Sequence, residues 1–114
     1  MGRLAAIVLG AAAGGGFPQW NCRCAVCRLA WAGDKRVKPR TQASLAVSAD
    51  GEHWILLNAS PDLRAQIQAN ENLHPRGQGH DNARGSPIAA VVLTGAEIDQ
   101  TAGLLSLQIG RAHV

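Results

Sequence analysis

The sequence has no long hydrophobic run, no tyrosine and no block of like charge. No stretch approaches the roughly 20 apolar residues that a membrane-spanning helix requires, so we expect no membrane insertion. Charged residues make up only 17% and hydrophobic residues 46% of the 114 residues, which excludes disorder and indicates a globular core. No segment repeats, and neither the P-loop nor the dinucleotide-binding glycine pattern occurs. What remains is a small globular protein.

Cysteine is scarce as well, and all three cysteines lie within six residues, at Cys22, Cys24 and Cys27. Three thiols this close cannot all pair within one monomer, and the C-x-C-x-x-C spacing suits thiolates that converge on one metal ion. Zinc takes four ligands, of which this loop would supply three. An iron–sulfur cluster is disfavoured because four cysteines are the norm. The spacing therefore predicts a zinc site, with three unrelated thiols as the alternative.

The fourth zinc ligand must come from outside the cysteine loop. His74 and His80, in the polar stretch of residues 71–87, are the candidates within the chain. His53 follows a predicted turn and is interpreted as an ordinary hairpin residue. His113 falls among the last six residues and is not expected to be a ligand.

The basic residues gather between the cysteines and the next predicted strand. We interpret this stretch as a solvated loop, with a small zinc-dependent nucleic-acid-binding module as the alternative. An apolar start at residues 4–13 imitates a short signal peptide, but the glycines and cysteines that follow favour a first strand. Reduced cysteines at metal-binding spacing then predict a cytoplasmic protein. The basic residues concerned are Arg23, Arg28, Lys35, Arg36, Lys38 and Arg40.

The order of predicted elements indicates an α/β chain with a mixed sheet. Apolar runs without alternation predict strands buried on both faces at residues 4–9 and 89–93. A hairpin is predicted for residues 43–58, because Asp50-Gly51 lies between two strand-like runs. Helices are predicted at residues 27–31, at residues 61–70 behind a Ser60 cap, and at residues 98–107.

Four blocks of the sequence resemble, in order, the pyrroloquinoline quinone (PQQ) synthesis protein B family. The first block reads GAAAGGGFPQWNCRCAVC, and the others cover residues 40–48, 53–67 and 93–105. This family has the metallo-β-lactamase superfold, so the resemblance implies the N-terminal part of an αββα sandwich. Two buried strands and two helices cannot close such a core alone, and family members are much longer. We therefore expect residues 1–108 to be a truncated part of a larger domain.

The last six residues, 109–114, match one translation frame of a common sequencing-adapter oligonucleotide. They are predicted to be a tail that is foreign to the protein, and fold arguments exclude them.

The superfold places an H-x-H-x-D-H motif where a buried strand turns into a helix. Here Gly95 and Glu97 replace the first two histidines, Gln100 replaces the last, and only Asp99 remains. These residues cannot form a histidine-rich dizinc centre, which disfavours hydrolysis, including that of a phosphodiesterase of the same superfold. Oxygen ligands suit iron(II), manganese or magnesium better than zinc. The resemblance implies Asp99 and Glu97 as catalytic residues that hold a possible iron, with helix capping as the alternative.

The resemblance also implies a role in making a quinone cofactor from a peptide precursor. Two roles are open: metal-dependent oxygenation of the peptide-derived tyrosine, or carriage of PQQ or its precursor towards the periplasm. Partners would be that precursor and other PQQ-biosynthesis proteins, and no nucleic acid. Trp20 and Arg40 would line a pocket for an anionic aromatic substrate, unless Trp20 packs under the metal loop. Asp62 occupies a loop that faces the active site in this superfold, or it caps a helix.

Overall fold

The structure, a computed structural model, describes residues 3–76 and 85–111. Its centre is a four-stranded sheet in the order β1-β2-β3-β4. The first three strands pair antiparallel, whereas β4 joins β3 in parallel, so the predicted α/β chain with a mixed sheet is confirmed. The strands are Ala5–Gly10 (β1), Ser44–Ser48 (β2), Trp54–Leu57 (β3) and Ile88–Val92 (β4).

The turn between β2 and β3 is the predicted hairpin around Asp50-Gly51. Oδ1 of Asp50 accepts the backbone N–H groups of Glu52 and His53, each at 2.8 Å. Gly51 has a φ of 78°, which a side chain would disfavour. The hydroxyl oxygen of Ser48 accepts the Gly51 N–H at 2.8 Å. These hydrogen bonds close the turn and set the antiparallel register.

The connection from β3 to β4 contains helix α2, Leu63–Gln68, and a short 3-10 helix, Glu71–Leu73. The prediction that Ser60 is the N-cap is wrong, because α2 begins after Asp62. The Ser60 hydroxyl instead donates to Oε1 of Gln66 at 3.0 Å and accepts the N–H of Asp62 at 3.1 Å. It therefore forms a turn before the helix.

The predicted C-terminal helix is divided in two. Helix α3 covers Ile98–Thr101 and helix α4 covers Leu104–Arg111, with a break at Gly103. The N–H of Gly103 donates to the carbonyl of Ala59 at 3.0 Å, and a Cβ on this glycine would lie 2.3 Å from the carbonyl oxygen of Ser60. The break therefore allows the chain to pack closely against the segment that follows β3. Apolar periodicity in the sequence does not reveal this contact.

The core lies on one face of the sheet. Partly buried Ile67, from α2, and Leu104 and Leu107, from α4, pack against it. The fully enclosed cluster consists of Leu9, Ala46, Trp54, Leu56, Ala59, Leu63 and Leu73.

The opposite face of the sheet has no covering layer among the described residues. The prediction of strands buried on both faces is therefore wrong here: Val8 is 66% exposed and Val92 48%. Strand registers place apolar side chains on this face throughout, which is typical of a sheet that a second layer covers. We call this the open face; its residues are Ala6, Val8, Leu45, Val47, Ile55, Leu57, Ala90 and Val92.

Residues 17–40 form a lobe that leaves the sheet and returns to it. It contains helix α1, Ala25–Trp31, which ends before Gly33 at a φ of 73°. The two ends of the lobe pair with each other through Phe17 N–H to Arg40 O at 2.9 Å and the reverse bond at 2.8 Å. We call residues 17–40 the cysteine lobe. The glycine turn, residues 14–16, lies between β1 and this lobe.

None of the helices in the described ranges is both long enough and apolar enough to cross a membrane.

We predict that the open face makes the 114-residue chain self-associate and bind hydrophobic dyes, because such a large exposed apolar patch favours association. Val8→Lys combined with Val92→Lys should lower dye fluorescence and shift the chain towards monomer in sedimentation velocity. Val26→Lys is the control, since Val26 is 49% exposed on the cysteine lobe. Equal effects of the open-face and control variants would show that association does not occur through this face.

Candidate metal centre

The three predicted zinc ligands do come together. The sulfurs of Cys22, Cys24 and Cys27 all lie within 4.8 Å of one another, and none of these cysteines is in a disulfide. Tetrahedral zinc with Zn–S bonds of ~2.3 Å needs sulfurs about 3.8 Å apart, so a small contraction suffices. Cys24 is also the N-cap of α1, and its sulfur accepts the Cys27 N–H at 3.4 Å. The start of a helix thus aligns two of the three sulfurs.

The local hydrogen bonds favour the thiolate form of Cys24. The backbone N–H of Cys27, together with the side chain of Cys22, lowers the pKa of Cys24 to about 7. A hydrogen bond with the backbone of Gln19 lowers the pKa of Cys27. Burial and the sulfurs of Cys22 and Cys24 together raise it by more, so the pKa of Cys27 is raised overall. Thiolates packed together repel each other, and a divalent cation removes that repulsion. The donor set therefore fits zinc.

The cysteine lobe has almost no hydrophobic core of its own. Among residues 17–40, all of which the structure describes, Cys27 alone is buried. Trp31 closes over the cysteine loop, with its Nε1–H donating to the carbonyl of Cys22 at 3.0 Å, yet it remains 56% exposed. So small a segment without a core usually needs a metal or a disulfide to hold its fold.

The histidines that the structure describes lie away from the cysteines. His53 pairs with Asp50 in the hairpin turn, and Nε2 of His74 lies 3.0 Å from the carbonyl oxygen of Gln68. No described histidine joins the three sulfurs in a common group. His80 and His113 lie outside the described residues. A fourth zinc ligand is therefore not identified among residues 3–76 and 85–111.

The turn between β4 and α3 holds the second predicted set of residues. Gln100, which stands in place of the last motif histidine, accepts the backbone N–H of Glu97 through Oε1 at 3.1 Å. Its Nε2 points to Oγ1 of Thr94 at 3.5 Å. A Cβ on Gly95 would lie 2.2 Å from Oε1 of Gln100, so glycine is needed beside this folded side chain. The Gln100 amide therefore caps the helix and is not available to a metal.

The two acidic residues of this turn have different surroundings. Glu97 is the exposed N-cap residue of α3, which agrees with the capping alternative. Asp99 is half-buried beside the glycine turn: a Cβ on Gly14 would lie 3.3 Å from its Oδ2. Within the described residues, neither carboxylate belongs to a cluster of three potential ligands. A second metal here would depend on ligands that the described residues do not provide.

The three predicted substrate-binding residues differ in their surroundings. Trp20 is 80% exposed, and Trp31 is the tryptophan that contacts the metal loop instead. The Arg40 side chain is exposed, and its backbone pairs with Phe17. Asp62 occupies the N-cap position of α2, but its side chain makes no capping bond, and its Oδ2 accepts two hydrogen bonds from Gln42.

Sequence reasoning missed the polar residues that fix these turns. Asn58, at the end of β3, has a φ of 69° and bonds twice to Thr94, from Nδ2 to Oγ1 and from the Thr94 N–H to Oδ1, both at 2.9 Å. Non-glycine residues with such a φ often mark functional turns. The only available sequence signal was an asparagine placed directly after a strand.

Comparison with known families agrees with this geometry. The family profile described as "Beta-lactamase superfamily domain" matches residues 53–114, more than half of the chain. The chain belongs to the beta-lactamase superfamily.

Curated relatives in this superfamily confirm the resemblance seen in the four sequence blocks. The chain is 63% identical over 105 residues to coenzyme PQQ synthesis protein B of Methylorubrum extorquens strain PA1, covering 92% of the chain and 34% of the relative. It is 64% identical over 104 residues to the protein of the same name from Methylobacterium sp. strain 4-46, covering 90% and 33%. The chain thus spans about a third of the length of these relatives.

Solved structures give the same picture. The crystal structure of Zn(2+)-bound PqqB from Methylobacterium extorquens matches with a TM-score of 0.85 and 62% identity, over 92% of this chain and 36% of that one. A diphosphatase of the PhnP family matches with a TM-score of 0.68 and 28% identity, over 94% and 35%.

We predict that Cys24→Ser lowers bound zinc and unfolds the cysteine lobe while the sheet stays folded, because zinc takes the place of a hydrophobic core in the lobe. Zinc per chain is measured by mass spectrometry. Fluorescence of Trp31, with the other two tryptophans replaced by phenylalanine, reports on the lobe. Asn21→Ser, beside the ligands, should change neither quantity. Unchanged zinc in Cys24→Ser would contradict the site.

The hairpin turn contains a second group of potential metal ligands, Asp50, Glu52 and His53, whose contacts belong to the turn. Its side chains are exposed, and Oδ2 of Asp50 lies 2.8 Å from Nδ1 of His53. This contact, with Coulombic attraction, raises the pKa of His53. The pKa of Asp50 is lowered, first by His53 and then by backbone N–H groups.

We predict that this pair stabilises the turn fully between about pH 4 and pH 6.5 and progressively less on either side of that range. The His53 contribution is complete below the ordinary histidine pKa and is lost as pH rises through the raised value. The Asp50 contribution is complete above the ordinary aspartate value, declines below it, and is lost as pH falls through the lowered value. An NMR titration should show the pKa of His53 above 6.5, falling in Asp50→Asn and moving less in Glu52→Gln. Equal titration in all three proteins would refute the pairing.

Proposed function

We propose that this chain is the N-terminal portion of a protein of PQQ biosynthesis, with a structural zinc at Cys22, Cys24 and Cys27. The observation that carries the proposal is the 63% identity, over 92% of the chain, to coenzyme PQQ synthesis protein B. The zinc-bound relative and the converging sulfurs support the metal. Reduced cysteines support a place in the cytosol. The expected partners are a peptide-derived PQQ precursor and other proteins of the pathway.

Hydrolysis is not part of the proposal. A dizinc hydrolase would need imidazole ligands where Gly95, Glu97 and Gln100 stand, and the Gln100 amide is already bonded within the turn. This argues against phosphodiester cleavage despite the structural likeness to a diphosphatase. The nucleic-acid-binding alternative has no support beyond exposed basic residues in the cysteine lobe, one of which, Arg36, pairs with Asp34 at 2.8 Å.

Within PQQ biosynthesis, we favour oxygenation of the peptide-derived tyrosine ring. Such a step replaces a ring C–H with C–OH, using one oxygen atom of O₂ while the other leaves as water. A cellular reductant must supply two electrons and two protons. Iron, when bound, would activate the O₂. Asp99 and Glu97 would help to hold it, since carboxylates suit iron(II) and both lie at the start of α3.

The domain boundary also stays a proposal: residues 1–108 belong to the protein and residues 109–114 do not. Reading the source DNA beyond the codon for Leu107 tests it. A frame that continues into further superfamily sequence supports the proposal, and genomic codons for residues 109–114 followed by a stop codon would contradict it.

A chimera tests the function. Residues 3–107 replace the matching segment of the Methylorubrum extorquens protein, in cells that lack that protein, and PQQ is measured in cells and medium. The chimera should restore PQQ, and Asp99→Ala should lower it at least about tenfold in both compartments, because a metal ligand is lost. Glu52→Ala, an exposed carboxylate in the hairpin turn, is the matched control.

The outcomes separate the two roles. If PQQ accumulates in the cells but not in the medium when Asp99 is replaced, the role is carriage of PQQ and not oxygenation. A folded, zinc-loaded chimera that makes no PQQ would overturn the proposed pathway. A normal amount of PQQ in the Asp99→Ala chimera would show that Asp99 takes no part in the reaction.

A further inference from the structure

One side chain, Gln42, holds the middle of the glycine turn. The N–H of Gly15 donates to Oε1 of Gln42 at 3.0 Å. The following residue bonds within the turn, from the Gly16 N–H to the carbonyl of Ala13 at 3.0 Å. Gly15 and Gly16 have φ values of 96° and 79°, so the turn uses a conformation that glycine alone adopts readily. A turn of such flexible residues needs an external contact to keep one shape.

Asp62 dictates the orientation of the Gln42 amide. Oδ2 of Asp62 accepts the backbone N–H of Gln42 at 2.9 Å and its Nε2 at 3.1 Å. A carboxylate only accepts hydrogen bonds, so a flipped amide would place two acceptor oxygens against each other. Nε2 must therefore face Asp62, and Oε1 must face Gly15. Gln42 is only 8% exposed, so water replaces these bonds poorly.

The turn that Gln42 holds packs against Asp99. A Cβ on Gly14 would lie 3.3 Å from Oδ2 of Asp99 and 3.6 Å from its Cβ. Any displacement of the turn therefore changes the space around this carboxylate. The chain of contacts runs from Asp62 through Gln42 to the glycine turn and ends at Asp99.

We propose that Gln42 is a positioning residue: oriented by Asp62, it fixes the glycine turn and thereby the place of the Asp99 carboxylate. Contacts behind a ligand commonly set its orientation and affinity in this way. The inference rests on the proposed function only where Asp99 is taken as a metal ligand. The placement of the turn is independent of that role.

Hydrogen exchange of the zinc-loaded chain, followed by NMR with ¹⁵N-glycine, tests the placement. The Gly15 amide should be protected, and Gln42→Glu should speed its exchange about tenfold, because two carboxylates would then face each other. Combining Gln42→Glu with Asp62→Asn restores a donor opposite the residue 42 carboxylate. It removes the acceptor of the residue 42 backbone N–H, because one oxygen of Asp62 accepts both bonds, so protection should recover in part. Gln68→Glu, on the exposed side of α2, makes the same charge change away from the turn and should have no effect.

Manganese(II), as a probe of the carboxylate site, supplies a second measurement. Binding to the zinc-loaded chimera described above, followed by electron paramagnetic resonance, should weaken several-fold in Gln42→Glu and recover in part in the exchanged pair. The inference is overturned if the Gly15 amide exchanges freely in the original chain. It is also overturned if the exchange rate of this amide is the same in Gln42→Glu as in the original chain. If Gln42→Glu fails to fold, recovery of folding and of part of the protection in the exchanged pair supports the inference, and failure of either to recover overturns it. Absence of manganese binding to the unsubstituted chimera removes the metal role of Asp99, while the exchange data still decide the placement.

Discussion

The buried amide of Gln66 is the constraint on which the arrangement around the glycine turn depends. Gln66 is 2% exposed, and an unpaired buried amide costs about 1–3 kcal/mol, so its partners must stay in place. Its Oε1 accepts the Ser60 hydroxyl at 3.0 Å, and its Nε2 donates to Oγ1 of Thr41 at 3.0 Å and to the carbonyl of Gln42 at 2.9 Å. Thr41 in turn donates to the carbonyl of Leu9 at 3.0 Å. One polar network therefore joins helix α2, the end of β1 and the segment that carries Gln42.

Local chemistry in the sequence was enough to predict much of the fold and the metal loop. Apolar runs located all four strands, and Asp50-Gly51 located the hairpin, because these features act over a few residues. The spacing of Cys22, Cys24 and Cys27 predicted the convergence of their sulfurs for the same reason. The order of the predicted elements then indicated the mixed sheet, in which β3 and β4 pair in parallel.

Features that depend on distant contacts could not be predicted. The helix break at Gly103 follows from its close approach to Ser60, more than forty residues earlier. Gln42 looked like one polar residue among many, because its partner Asp62 lies in another element. The role of Trp31 was missed because an exposed indole can close a loop through a single hydrogen bond. In each case the tertiary contact, rather than the local pattern, decides the structure.

The pairing of Phe17 with Arg40 has a consequence for how this protein can vary. Because both ends of the cysteine lobe meet in two backbone hydrogen bonds, the chain enters and leaves the lobe at one point. The strands on either side do not depend on the length or content of what lies between, since closing a longer loop costs little extra entropy. During evolution, the cysteine lobe can therefore change in length or in the metal it binds while the sheet keeps its structure.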